Sequence, residues 1–288
     1  MVTSTQDLPF EHVAATGPKT GVDPQHAAAV RRSLADRARQ ASVAGHECYQ
    51  VPDAYLLWVE AVESQLSAVT ADFSLIAAVQ NEHYWRLQDV SAKFARPDPM
   101  MQAELARQCE RFEALARELQ QRHELITEAP GSIAVVDTNV LLHYRPPAQV
   151  PWPQIVGTSP VRLVIPLRVV EELDLKKWGH NNKLATRARN LLPSLQRALG
   201  RGGTPGVLRD DVTVEVPVPS QPRHRPIDAD EEILATCEEL TLFSGAPAIL
   251  ITGDTSMTIR AEASAISVKA MPARFERQES LKSPETRE

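Results

Sequence analysis

Four stretches of this 288-residue chain place carboxylates at the ends of short apolar runs or one turn beyond them. Asp137 directly follows Ile133–Val136 in VVDTNVLL, and Asp254 follows Ile249–Thr252 in LITGDTSM. Glu171 and Glu172 stand one short turn after Leu163–Ile165 in VIPLRVVEELD, while Asp228, Asp230, Glu231 and Glu232 open a helical pattern in PIDADEEILATC. Continuous apolar runs of this length are the pattern of parallel strands buried on both faces. An open α/β sheet gathers its functional groups beyond the carboxyl ends of such strands, so acids far apart in sequence converge there. A cluster of that kind repels itself at neutral pH unless a hard cation sits among its oxygens, and an all-oxygen donor set suits Mg²⁺ or Mn²⁺. An Asp that terminates a buried strand is costly unless paired or metal-bound, which singles out Asp137. Asp254 has a plain turn after Gly253 as its competing explanation, and Asp228 with Glu231 fits a helix capping box. Helical period does not separate Glu171 from Glu172.

Other chemistries find less support. Gly200–Gly206 lacks the G-K-[ST] ending of a phosphate loop. His83 has no second His four residues away, and His46-Glu47-Cys48 has no partner pair, so a zinc site is not expected at either. Cys48, Cys109 and Cys237 are widely spaced, without a C-x-x-C pair, and predict free thiols in a reducing cytoplasm rather than a disulfide framework. Asn139 stands where a haloacid dehalogenase phosphatase needs a second Asp, and Gly253-Asp254 does not supply the lysine of a receiver domain. The N-terminus lacks the layout of a signal peptide and no apolar run approaches a membrane span, so no membrane association is expected.

The elements that must position the acids follow from periodicity. From Gly131 onward the short apolar runs alternate with helical segments near 168–178, 183–199, 229–243 and 255–264, a βαβ order that predicts an α/β/α sandwich on a parallel sheet. Val212–Val216 alternates Val with Thr and Glu, as an edge strand with one wet face does, and Ile266–Val268 is a further strand candidate. Upstream, Pro24 behind Asp23 opens a helix running to about Ala44, with Gly45 as its stop. A second helix is expected from Asp53 to Arg96, with Tyr55, Val59, Val62, Leu66, Val69, Phe73 and Ile76 four and three apart, and with Leu87, Val90 and Phe94 resuming the frame after Gln80 and His83. A third, from Pro99 to Ile126, sets Leu105, Phe112, Leu119 and Ile126 seven apart. These predict a helical hairpin or coiled-coil-like domain over 23–128, between a flexible 1–22 and an α/β domain over 131–272, with a polar tail at 273–288. The stripe over 53–126 is a candidate surface for a helical partner or for self-association.

The net charge of −6 argues against a wholly basic surface, but it divides unevenly. Residues 1–130 hold 12 Lys+Arg against 18 Asp+Glu, and residues 131–288 hold 19 of each. Between Leu175 and Arg209 stand eight basic residues and no acid: Lys176, Lys177, Lys183, Arg187, Arg189, Arg197, Arg201 and Arg209. Such a run is a solvated helix face or a cationic arm for a nucleic-acid backbone, with Trp178 or His180 available to stack a base.

VVDTNVLLH, VIPLRVVEELD, DADEEILATC and LITGDTSMTIRAEA, in that order, resemble the four acidic motifs of the PIN domain nucleases. The resemblance is closest to the branch joined to PhoH-type ATPases and to the PIN domain of eukaryotic RNA-decay endonucleases, and it covers about half the chain. It implies an acidic quartet of Asp137, Glu172, Asp230 and Asp254 as catalytic residues and ligands for one or two Mg²⁺ or Mn²⁺ ions. Thr138 and Asn139 match the residues after the first acid, and Ser256 falls where the last motif often has Asn or Asp. The implied activity is metal-dependent endonucleolytic cleavage of single-stranded RNA, with Lys176, Lys177, Lys183, Arg187 and Arg189 as candidate RNA contacts. A catalytically inactive RNA-binding or assembly module is the alternative, and a toxin of a toxin–antitoxin pair fits less well because such proteins are usually a bare domain.

Overall fold

A computed structural model describes residues 17–43, 50–70, 73–88, 97–179, 182–199, 205–217 and 228–277. The chain divides into two units, Met1–Thr127 and Glu128–Glu288. Among the described residues, no helix is long and apolar enough to cross a membrane.

The first unit is helical. α1 (Pro24–Ser42) begins as expected, with the Asp23 carboxylate accepting the Gln25 N–H at 2.9 Å and Pro24 in the first turn. Its inner face is mostly alanine, with Ala27, Ala28, Ala35 and Ala38 buried around Leu34. Small side chains let its backbone approach α2 (Gln50–Val69), and the Trp58 indole N–H donates to the Leu34 carbonyl at 2.9 Å. α5 (Pro97–Glu128) sets the Phe112 ring edge-on against Trp58, with centroids 5.8 Å apart. Arg39 pairs with Glu113, and Arg32 donates to Gln120 at 2.6 Å, tying α5 to α1.

The long second helix does not run through. It is divided into α2, α3 (Ser74–Val79) and α4 (Glu82–Gln88). Lys19 N–H takes the Val69 carbonyl at 2.8 Å. At the next break the Asn81 side chain accepts from the amides of His83 (3.0 Å) and Tyr84 (3.4 Å), capping a new helix at the point where Gln80 interrupts the apolar frame. Phe73 is accordingly 65% exposed rather than part of the stripe. Tyr55, Val59, Val62, Leu66 and Val69 are buried within the unit, so that stretch of the stripe is an internal core and not an open seam. The bond to the Val69 carbonyl ties Lys19 to the end of α2; residues 1–16, Gly45, Cys48, Val90 and Phe94 lie outside the described residues.

The second unit is α/β, built on a six-stranded sheet of order β3-β4-β2-β1-β5-β6. The strands are β1 (Ser132–Val136), β2 (Val161–Val164), β3 (Gly206–Arg209), β4 (Val212–Glu215), β5 (Ile249–Thr252) and β6 (Ser267–Ala270), all parallel except β3. The helices are α6 (Thr138–His143), α7 (Trp152–Val156), α8 (Leu167–Lys176), α9 (Asn182–Leu199), α10 (Ala229–Ser244) and α11 (Thr255–Ala263). α10 packs on β1 and β5, α11 on β5 and β6, and α9 on β3 and β4.

Two expectations change here. β4 is not an edge: β3 hairpins onto it, and Val212, Val214 and Glu215 are all buried. Glu215 is tolerated inside because Arg162 of β2 grips it at both oxygens, at 2.8 and 2.9 Å. β3 begins at Gly206, where a Cβ would lie 2.1 Å from the Ala198 carbonyl oxygen, so that strand passes α9 only as glycine. Of the polar tail expected over 273–288, the described residues, to 277, are packed on the domain. A 3₁₀ turn at Ala273–Phe275 buries Phe275, and Glu276 bridges to Tyr144.

Candidate active site

The chain builds outward from β1 through β2 and β4 on one side and then crosses to β5 on the other, and this reversal of strand order opens a crevice beyond the carboxyl end of β1. Val136 pairs with Ile251, and the Asp137 N–H extends the ladder to the Ile251 carbonyl at 3.2 Å. That register sets Asp137 beside Thr252, whose hydroxyl donates to Asp137 Oδ2 at 2.9 Å. Oδ1 caps α6 by accepting the Asn139 N–H at 3.3 Å. The side chain of Asp137 is buried, 4% exposed. Asp254 ends the β5 turn and caps α11, accepting the Ser256 N–H at 2.7 Å. Gly253 between them lets the Tyr144 ring pack close, since a Cβ there would stand 2.8 Å from its hydroxyl and push that side chain aside.

Glu172 is drawn in by the first motif: Thr138 Oγ1 donates to its Oε2 at 2.6 Å. Glu171 is exposed and pairs with Arg168 on its own helix, so the structure separates the two glutamates that periodicity left equivalent. Asp230, in the first turn of α10, accepts from Arg260 of α11 at 3.0 Å. Asp228 occupies the N-cap of α10 but its side chain makes no capping bond; it faces the same Arg260 at 3.6 Å. The capping explanation for Asp228 is therefore replaced by an ion pair. Arg260 and Thr252 are the participants that sequence reasoning missed; Arg260 meets acids of another helix, a tertiary contact for which no local spacing is a signal.

The electrostatics follow from this packing. Burial pushes the Asp137 carboxyl above the ordinary range, and Asp230 adds to the push against the bonds from Thr252 and Asn139. Asp230 is raised by burial, then by Asp228, with Asp254 and Glu172 contributing and Arg260 opposing. Asp254 goes the other way: the Ser256 amide, then its side chain, hold it below the usual range. Acids from β1, α8, α10 and the β5 turn thus share one electrostatic neighbourhood, with one carboxyl biased toward the anion and two away from it.

Every donor in this set is oxygen, which fits a hard divalent cation in kind. Among the described residues, no group of three or more His, Cys, Asp or Glu side chains is close enough to hold a metal ion. Thr138 occupies one oxygen of Glu172, and Arg260 supplies the positive charge at Asp230. Mg²⁺ commonly takes only one or two carboxylates and completes its shell with water and substrate phosphate, so an open arrangement is compatible with that ion.

The basic stretch is only partly assembled at the site. Arg187 of α9 reaches it, donating to the Leu142 carbonyl at 3.1 Å and lining an open depression of about 530 Å³ together with Asn139 and Asp254. Lys177 instead pairs with Asp174 and lies over the Trp178 ring at 5.4 Å. Arg189 folds back to the Ala185 carbonyl at 3.1 Å, and Arg209 pairs with Asp211. Lys176 and Lys183 are exposed, as is Trp178; none of them lines the depression. His180 and Arg201 lie outside the described residues.

Comparison with known proteins bears on this unit. Residues 134–271 match a protein-family model described as PIN domain. The match runs from within β1 to the residue after β6 and supports a PIN domain in the α/β unit. No curated protein matches the chain.

Proposed function

We propose, from a PIN domain that carries these four acids, that the chain is a divalent-metal-dependent endoribonuclease acting on single-stranded RNA, of the branch resembling the PhoH-associated and RNA-decay enzymes. The observation that carries the reading is geometric: Asp137 at the end of β1 is bonded to Thr252 of β5, Glu172 is bonded to Thr138, and Asp230 lies in the same neighbourhood, its carboxyl raised first by burial and then by Asp228, Asp254 and Glu172 against the pull of Arg260. Mutual repulsion of that kind is retained where a cation or a phosphate-bound cation is to be received. Asp137 and Asp254 are the proposed principal holders of Mg²⁺ or Mn²⁺, with Asp230 and Glu172 completing the set. Such an ion supplies water activation and relief of the charge that develops on the phosphate. The protein's own part is orientation. Thr252 fixes Oδ2 of Asp137, Thr138 fixes Oε2 of Glu172, and Arg260 holds Oδ2 of Asp230, so three carboxylates are set by bonds that do not depend on substrate. Asn139 and Ser256 set the helix ends beside the two strand acids. Cys109 and Cys237 are buried free thiols, which supports a reducing, cytoplasmic setting.

The test is incubation of labelled single-stranded RNA with the full chain in Mn²⁺ or in EDTA. Wild type cleaves in Mn²⁺ alone, and Asp137→Asn lowers the rate by about 100-fold or more. Equal cleavage by both proteins overturns the assignment. Arg260 seated on Asp230 favours one second reading, a non-catalytic RNA-binding module; RNA that is bound but left intact in Mn²⁺ is its signature.

A further inference from the structure

The chain that returns after β6 brings a second arginine to the crevice. Phe275 anchors this return, and the Arg277 backbone N–H donates to the His143 carbonyl at 3.0 Å while its Nε donates to the Tyr144 carbonyl at 2.6 Å. Arg187 arrives at the same end of α6 from α9 and donates to the Leu142 carbonyl at 3.1 Å. The Leu142 and Tyr144 carbonyls therefore anchor the two guanidinium groups, each through one of its five N–H donors, and the His143 carbonyl between them holds the Arg277 backbone. Neither arginine is in an ion pair among the described residues. Glu276, the acid adjacent in sequence, faces the Tyr144 hydroxyl at 3.4 Å instead. Both arginines line the depression of about 530 Å³ that also reaches Asn139, with Asp254 and Glu276 as the two acids of the same lining. Burial lowers Arg277, and the charge of Arg187 lowers it further, so the two cations are close enough to repel. Like charges fixed side by side, with donors to spare and an open cavity before them, are complementary to an anion with several acceptor oxygens.

We propose that Arg187 and Arg277 form one phosphate-binding subsite, which seats a backbone phosphate flanking the one presented to the acidic cluster. The identity of the ligand as RNA rests on the function proposed above; the pairing of the two arginines does not. Arg187 thereby changes from one member of a basic run to half of a built site, and Arg277, which lies in the stretch expected to be a polar tail, becomes the other half. The lysines of the run then contribute diffuse attraction, while this pair sets register along the strand.

The experiment measures binding of a fluorescent single-stranded RNA to the full chain in EDTA across a salt series, where no cleavage confuses the reading. One lost phosphate contact on a single strand flattens the plot of log affinity against log salt by roughly 0.7. Arg187→Gln/Arg277→Gln is expected to flatten it by about that amount, whereas Arg117→Gln on the helical unit leaves it unchanged. Because both arginines also hold α6, Arg187→Lys/Arg277→Lys is the folding control: it keeps the charges and the wild-type slope. A Lys variant as flat as the Gln variant, or a Gln variant as steep as wild type, overturns the subsite. So does a loss of about 1.4, which would give each arginine its own phosphate. Loss confined to 5′-phosphorylated RNA, and absent with a 5′-hydroxyl, overturns the backbone assignment in favour of end capture. The two proposals fail separately. A flattened slope with no cleavage in Mn²⁺ leaves the subsite standing without the nuclease; cleavage in Mn²⁺ with an unchanged slope does the reverse.

Discussion

Each unit buries a carboxylate, and the two are treated differently. Glu104 in the helical unit is 3% exposed and Asp137 in the α/β unit is 4% exposed. Glu104 is surrounded by donors: Asn81 at 2.6 Å and Gln108 at 2.9 Å reach Oε1, and Arg107 pairs with Oε2. Asp137 receives a hydroxyl and an amide but, among the described residues, no cation, and it faces a second acid. Within the α/β unit itself Glu215 shows that a full counter-charge is available when burial alone is at stake, since Arg162 holds it by two parallel bonds. The absence of a cation at Asp137 is thus not forced by the fold. A carboxylate left uncompensated beside another at the mouth of a crevice fits the metal-holding role proposed for Asp137, while Glu104 and Glu215 belong to the architecture.

Removing each charge measures that difference. Glu215→Gln leaves Arg162 buried without its partner and is expected to destabilise the α/β unit by about 3–5 kcal/mol in urea unfolding, the largest of the three effects. A loss below about 1 kcal/mol would mean that water reaches the pair and that it resembles a surface bridge. Glu104→Gln turns an amide toward Arg107 and weakens charge-assisted bonds, with an expected loss of about 1.5–3 kcal/mol in the helical unit. Asp137→Asn is expected to act with the opposite sign and the smallest size, raising the unfolding midpoint slightly at neutral pH. The sign follows from a folded pKa lying above the unfolded one. The cost of the charge is absent at pH values below the ordinary carboxylate range, grows as pH rises through it, and is complete above the raised folded value. The gain from Asp137→Asn should therefore shrink on acidification. Mn²⁺ should stabilise the wild type by about 2.7 kcal/mol at 100 times its dissociation constant, raising its midpoint, and leave the variant unmoved. A wild type that is most stable at neutral pH without metal, with an Asn variant less stable throughout, would place Asp137 with the architectural acids.

The centre of the sheet was legible because its signal is local: Ile133–Val136 and Ile249–Thr252 are apolar enough to be strands wherever they pack. β3 was not, because Gly-Val-Leu-Arg is too short and too polar to announce itself, and its pairing depends on α9 accepting Gly206 closely. The break in the second helix turned on one side chain, Asn81, and no periodicity of apolar residues reports what an amide oxygen will capture. The same limit applied at the site. That acids would stand after β1 and β5 could be read from the runs preceding them. That Asp228 would face Arg260 rather than its own helix end depends on α10 and α11 being neighbours, a tertiary fact. Arg277 was hidden for a related reason: the segment's composition is polar, yet the single aromatic Phe275 is enough to hold it.

The pairing of β1 with β5 also bears on the order in which the protein is made. Asp137 and the Thr252 hydroxyl that orients it are 115 residues apart, and Glu172 and Asp230 emerge between them. Contacts of such separation carry a high loop-closure cost and form late, after the intervening helices and strands have been laid down. A nascent chain that has passed β2 and β4 has β2 beside β1 but lacks β5, whose Thr252 hydroxyl aims the carboxylate at the end of β1. The site is therefore assembled by the last central strand to arrive, which makes its geometry a report that synthesis of the domain has gone nearly to completion.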